Sequence, residues 1–93
     1  MKTIPRAKIL DKQWQIRPCR MRDNRGECDH PEKPGKEIRI DPDLRGEELL
    51  EVVFHEHLHA GNWSLDEEFV GQISADCARN ITRLGYKLVR IDE

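Results

Sequence analysis

The chain predicts a small α+β domain in which two or three short strands pack on a pair of helices. Residues 13–17 and 37–41 alternate apolar and polar side chains, the two-residue period of half-buried strands. Residues from about 44 to 60 and from about 65 to 84 carry apolar side chains at helical spacing. The extended segments come before the helical ones, which suits segregated layers. At 93 residues the chain is one domain, 1–93, with no room for a second core.

In chain order, Lys8 to Arg20 reads as extended, with Trp14 and Ile16 on one face and Gln13, Gln15 and Arg17 on the other. Residues 21–36 are rich in turn formers (Asp23-Asn24-Arg25-Gly26, then Pro31, Pro34 and Gly35) and predict a loop or loose hairpin. Glu37 to Asp41 is a short strand with Ile38 and Ile40 on one face. Placed at an edge, it could pair with an extended peptide. This strand and loop region ends at Pro42.

Asp43 is the expected N-cap of the first helix, with Glu47 and Glu48 near the positive end of its dipole. Gly61 is the expected left-handed C-cap. Leu49, Leu50, Val52, Val53, Phe54 and Leu58 cover more than one stripe, so this helix is expected between the sheet and the second helix. Ser64-Leu65-Asp66-Glu67 has the form of a capping box and opens the second helix near Ser64 or Asp66. Val70, Ile73, Cys77, Ile81 and Leu84 form its expected apolar face, and Gly85 ends it. Tyr86 to Ile91 is a last short strand or an extended tail.

Composition narrows the function. The net charge is −2, so the chain as a whole is not the basic surface that binds nucleic acid. Residues 1–45 hold 12 Lys and Arg against 8 Asp and Glu, a balance of +4; residues 46–93 hold 4 against 10, a balance of −6. An acidic second half suits a cation site, and equally an ordinary solubilising surface. No apolar run approaches the roughly 18 residues of a membrane span, and the first residues lack the apolar core of a signal peptide. Cys19, Cys28 and Cys77 include no C-x-x-C, and an odd count makes a reducing cytoplasm the default compartment.

The chemistry lies in His55-Glu56-His57-Leu58-His59, an H-E-x-x-H pattern. On a helix, His55 and His59 fall on one face one turn apart and can share one Zn²⁺. A catalytic zinc takes three protein ligands and leaves a position open. Asp66, Glu67 and Glu68, in the first turn of the second helix, are the candidates for the third. Glu68 falls nearly opposite the apolar face and Asp66 is drawn to capping, so Glu67 is favoured, with its neighbours left open. Glu56 is expected not to bind metal but to act as the general base toward a metal-activated water.

The other polar residues carry less. His57 is on the other side of the helix from His55 and His59 and reads as a packed or surface histidine. Tyr86 could stabilise an oxyanion if the tail covered the site, and otherwise packs. Trp14 and Trp63 read as core or cleft walls. Cys19, Cys28 and His30, with Asp29, offer a second metal site only at a spacing that matches no common zinc pattern.

The run Leu50 to Ala60 resembles the active-site helix of zincin metallopeptidases, and Leu65 to Val70 looks like the glutamate helix of minimal gluzincin-type proteins. Small phage and bacterial proteins of the ImmA/IrrE and SprT-like groups share the order of strands, motif helix and second helix. The resemblance covers roughly residues 37–85. It implies a minimal zincin fold, zinc held by His55, His59 and Glu67, Glu56 as base, and hydrolysis of a peptide or protein substrate. It differs from larger gluzincins in the shorter spacing from His59 to Glu67 and in lacking their extra subdomain. Two rivals stand beside it: a metal-binding regulatory or structural module without useful turnover, and a phage accessory protein that acts by contact.

Overall fold

The chain opens with a hairpin in the computed structural model, which describes residues 1–91. β1 (Ile4–Ile9) pairs antiparallel with β2 (Lys12–Pro18), with Ile9 opposite Lys12. Between them Leu10 and Asp11 have φ of 48° and 66°. A two-residue hairpin turn requires left-handed backbone at both central residues, normally Asn, Asp or Gly. Leu10 lacks that signature, so spacing along the sequence gives no hint of β1.

β3 (Gly26–Cys28) and β4 (Glu37–Ile40) complete a sheet of order β1-β2-β4-β3. The sheet therefore has four strands, not two or three. β4 runs parallel to β2, with Ile16 opposite Ile38, and antiparallel to β3, with Cys28 opposite Ile38. Two of the expected readings change here. Residues 26–28, expected in a loop, form a strand too short to show a period. The strand of Ile38 and Ile40 is interior, its isoleucines fully buried, so it cannot be the edge that receives a peptide. The edges are β1 and β3.

Ion pairs fasten β2, β4 and β3. The Arg39 guanidinium contacts Asp29 at 2.8 Å, Glu37 at 2.9 Å and Glu27 at 3.1 Å, and Arg17 reaches Glu37 at 3.0 Å. Asp29 also accepts the Glu37 backbone N–H. The Arg39 hydrogen bond, helped by that N–H, holds the Asp29 carboxyl down at about 2.

The opposite side of the sheet buries Trp14, Ile38 and Ile40 with Leu44 and with Val52 and Ala60 of α1 (Gly46–Gly61). Trp14 is thus a core residue. The start of α1 differs from expectation. Asp41 accepts the Asp43 N–H in an Asx turn, the N-cap position is Arg45 without a side-chain cap, and Gly46 enters the helix at φ 56°. Gly61 is the last helical residue and does not adopt a left-handed C-cap; extended Asn62 follows, its N–H bonded to Leu58 O.

α2 (Glu67–Arg83) begins at Asp66, whose carboxylate accepts the Phe69 N–H at 2.9 Å. Ser64 takes no part in the cap; its own N–H bonds to Asn62 Oδ1. α2 packs on α1, which therefore has the sheet on one side and α2 on another. The buried face of α2 is Val70, Ser74 and Ala78, with Ile81 partly buried, so Val70 and Ile81 of the expected row hold and its other members do not. Ile73, Cys77 and Leu84 are exposed. Small side chains at 74 and 78 fill the narrow space between two close helices, and the hydrophobic count alone misplaced the stripe by part of a turn. Gly85, at φ 103°, ends α2. Residues 86–91 form no strand and run as a tail, with Arg90 donating to Pro42 O at 3.0 Å. No described helix is long and apolar enough to cross a membrane.

Candidate metal centre

The corrected stripe of α2 explains the site. Glu67, Val70, Ser74, Ala78 and Ile81 are spaced 3, 4, 4 and 3 apart, so Glu67 is the first member of the row that faces α1. On α1, Val52, Glu56 and Ala60 point inward at intervals of four, and His55 and His59 lie one position back on the helical wheel.

The two faces meet at one carboxylate. His55 Nε2 is 2.9 Å from Glu67 Oε1, and His59 Nε2 is 2.7 Å from Glu67 Oε2. One donor atom from each of His55, His59 and Glu67 lies within 4.8 Å of the other two, a group that could hold a metal ion. The imidazoles are 22% and 14% exposed, whereas the Glu67 side chain is 73% exposed, so one side of the group opens to solvent. Two imidazole nitrogens and a carboxylate oxygen make a donor set that zinc accepts, with room for a fourth partner on the open side.

Of the three acidic candidates, Glu67 is the one in the group. Asp66 is engaged in capping, and Glu68 is exposed on another face. His57 turns its Nδ1 to Val53 O at 2.8 Å, a bond within its own helix. Tyr86 is exposed and lines neither cavity at the site. Cys19, Cys28 and His30 do not join: Cys28 Sγ donates to Asp29 O, Cys19 Sγ to Arg20 O, and His30 Nδ1 accepts the Glu32 N–H. Burial pushes the Cys28 thiol up to about 12, with the Glu56 and Asp29 charges adding. It stays protonated at neutral pH, neither nucleophile nor ready ligand.

Glu56 is 7% exposed and lies beneath β3. Burial pushes its carboxyl up to about 7, aided by the charges of Glu67 and Glu27 and opposed by Arg39. The strand above it carries glycine at the contact. A Cβ on Gly26 would stand 2.6 Å from Val52 Cγ1 and 3.0 Å from Glu56 Oε2. Only a residue without a side chain lets β3 rest this close to α1. Gly26 is thus part of the site, and the turn-forming run around it hid that in the sequence.

β3 also has an unpaired edge. Arg25 O accepts the Asp41 N–H, and the Asp29 N–H bonds to Glu37 O, so alternate residues 25, 27 and 29 face β4. The backbone N–H and C=O groups of Gly26 and Cys28 then point to the free edge. A cleft runs below it, divided at Glu56 and Glu67. One cavity, about 180 Å³, lies between His55 and the polar wall of Asn24, Arg25 and Glu51. Arg25 is tied there to Glu48 at 3.1 Å and Glu51 at 3.3 Å. The other, about 300 Å³, lies between His59 and the wall of Cys28, Trp63 and Leu65.

No protein-family model, curated protein or solved structure matches the chain.

Proposed function

We propose that the chain is a zinc-dependent metallopeptidase, a minimal zincin in which His55, His59 and Glu67 hold the metal and Glu56 is the general base. One observation carries this reading: three ligand atoms converge beside a desolvated carboxylate, at the floor of a cleft bordered by a free strand edge. Zinc, when bound, supplies Lewis acidity, which acidifies water and polarises a carbonyl.

The chain's own residues do the rest. A peptide laid along β3 would pair with the backbone of Gly26 and Cys28 and cross directly over Glu56. Glu56 lines both cavities of the cleft, where its carboxylate would take a proton from water and return it to the departing nitrogen. Gly26 keeps the strand low enough to exclude bulk solvent from that carboxylate.

The test has two stages. Protein purified without a polyhistidine tag should hold about one equivalent of zinc; less than half, with no gain on adding zinc, would sink the site. The zinc-loaded protein should then cut an unstructured peptide pool, and Glu56→Gln should hold zinc equally but not cut. Equal rates for the two proteins would refute Glu56 as base. A second reading has its own support. The Glu67 carboxylate already bridges both imidazoles and ties α2 to α1, which a purely structural clamp would also do. Protein that takes up no zinc would favour that clamp.

A further inference from the structure

The two cavities of the cleft differ in chemistry, and the difference names a substrate class. The cavity beyond His59 is walled by Trp63, Leu65 and Cys28. These three walls are apolar or weakly polar, with the Cys28 Sγ turned to Asp29 O; the carboxylates of the lining, Glu56 and Glu67, belong to the metal and base group. Trp63, the larger of the wall's apolar groups, is 45% exposed and lines this space. Its position is held from two sides. The His30 ring packs on it at 5.0 Å from the β3–β4 connection, and the His59 ring meets it edge-on at 6.2 Å from α1.

The cavity on the His55 side is different. There the wall is Asn24 and the Arg25–Glu51 ion pair. Nothing on that side offers an apolar surface comparable to Trp63.

We infer that the Trp63 cavity receives a bulky apolar or aromatic side chain of the peptide, immediately beside the bond to be cut. This rests on the metallopeptidase reading above. Three features favour that occupant over a cationic side chain. Away from Glu56 and Glu67 the walls offer area rather than charge. Of the two carboxylates in the lining, Glu67 is committed to the metal group and Glu56 to the water. A bound dication there repels a second cation. At about 300 Å³ the space is at the low end of small-ligand sites, the scale of one side chain rather than of a drug-sized molecule. Filling such a pocket with an aromatic or branched side chain rather than glycine is worth roughly ten- to a hundredfold in selectivity.

Cut sites in a denatured protein digest, mapped by mass spectrometry, test this. Wild type should show Phe, Leu, Met, Tyr or Trp at one fixed position flanking the cut, at least tenfold above glycine. Trp63→Ala should lose the aromatic preference with unchanged zinc content, and Trp63→Phe should keep it. A flat distribution in wild type, or an unchanged one in Trp63→Ala, would overturn the pocket assignment. If wild type does not cut, or cuts no better than Glu56→Gln, the peptidase reading is what fails. The pocket is then judged by calorimetry on zinc-loaded Glu56→Gln with two probes. Phenylalanine hydroxamate should bind about tenfold tighter than glycine hydroxamate, and Trp63→Ala should erase the gap. Equal binding, or binding of neither probe, overturns the assignment.

Discussion

Gly26→Ala puts the packing of strand on helix to a direct test. The added methyl would meet Val52 Cγ1 at 2.6 Å and Glu56 at 3.0 Å (Oε2) and 3.1 Å (Cγ). Backbone strain is not at issue, because Gly26 lies outside the left-handed region that Gly35, Gly46 and Gly85 occupy. Alanine even gains roughly 0.4–1 kcal/mol by restricting the unfolded chain. Against this stands overpacking, at roughly 1–3 kcal/mol. The net expectation is a loss of about 1–2 kcal/mol, or a fall in Tm of roughly 5–12 °C for a domain of this size. Urea titration followed by circular dichroism measures it, with Val52→Ala and the double variant completing a cycle. Removing Val52 Cγ1 relieves only the closest contact, so the double variant should recover about 1 kcal/mol relative to additivity. Its peptidase rate should stay low, because the methyl still crowds Glu56. A Gly26→Ala protein as stable as wild type, or a strictly additive cycle, would refute the close approach of β3 to α1.

Glu67→Gln should weaken zinc binding by at least tenfold in competition with a chromophoric chelator, and Glu68→Gln should leave it unchanged; the reverse order would move the third ligand. Asp29 has a folded-state carboxyl held near 2 by Arg39, below the ordinary 3.8, so its contribution to stability is complete above about pH 4 and is lost as pH falls toward 2. With its side chain only 9% exposed inside the ion cluster, it should be worth about 1–2 kcal/mol. Asp29→Asn should cost that much at pH 7 and little at pH 2; urea midpoints that differ equally at both would contradict the ion cluster's role. Ser74 Oγ is buried without a partner between the helices. Ser74→Ala should therefore be neutral or stabilising by about 1 kcal/mol in thermal melts, and a clear destabilisation would point to a bound water that the hydroxyl serves.

What the sequence reveals depends on how local each signal is. His55, Glu56 and His59 are legible because their geometry is set within one turn of one helix. Trp14, Ile38 and Ile40 are legible as core because strand alternation is also local. The third acidic position depends on which face of α2 meets α1, and that face is chosen by the small residues Ser74 and Ala78 rather than by Ile73 and Cys77. Hydrophobicity ranks these residues the wrong way round, since close helix packing rewards small volume. β3 was hidden because three residues cannot display a period, and its register comes from β4, eleven residues further on. β1 was hidden by a leucine in a turn position that normally calls for Asn or Gly.

The narrow contact between the helices has a consequence for the protein's opening motions. α2 is bound to the rest of the fold through α1, along a row in which Val70 is the largest fully buried side chain. Such an element sits low on the scale of local unfolding energies, well below the sheet. Its first turn carries Glu67, the member of the His55–His59–Glu67 group that does not belong to α1. Metal binding would then act as a latch on the weakest hinge of the domain, and each tenfold gain in free metal over its dissociation constant would add about 1.4 kcal/mol to the closed form. Amide exchange in residues 70–81 should slow with metal, whereas the exchange of β2 and β4 should hardly move. Occupancy of the centre would thus be written into the dynamics of a helix whose backbone lies mostly far from it.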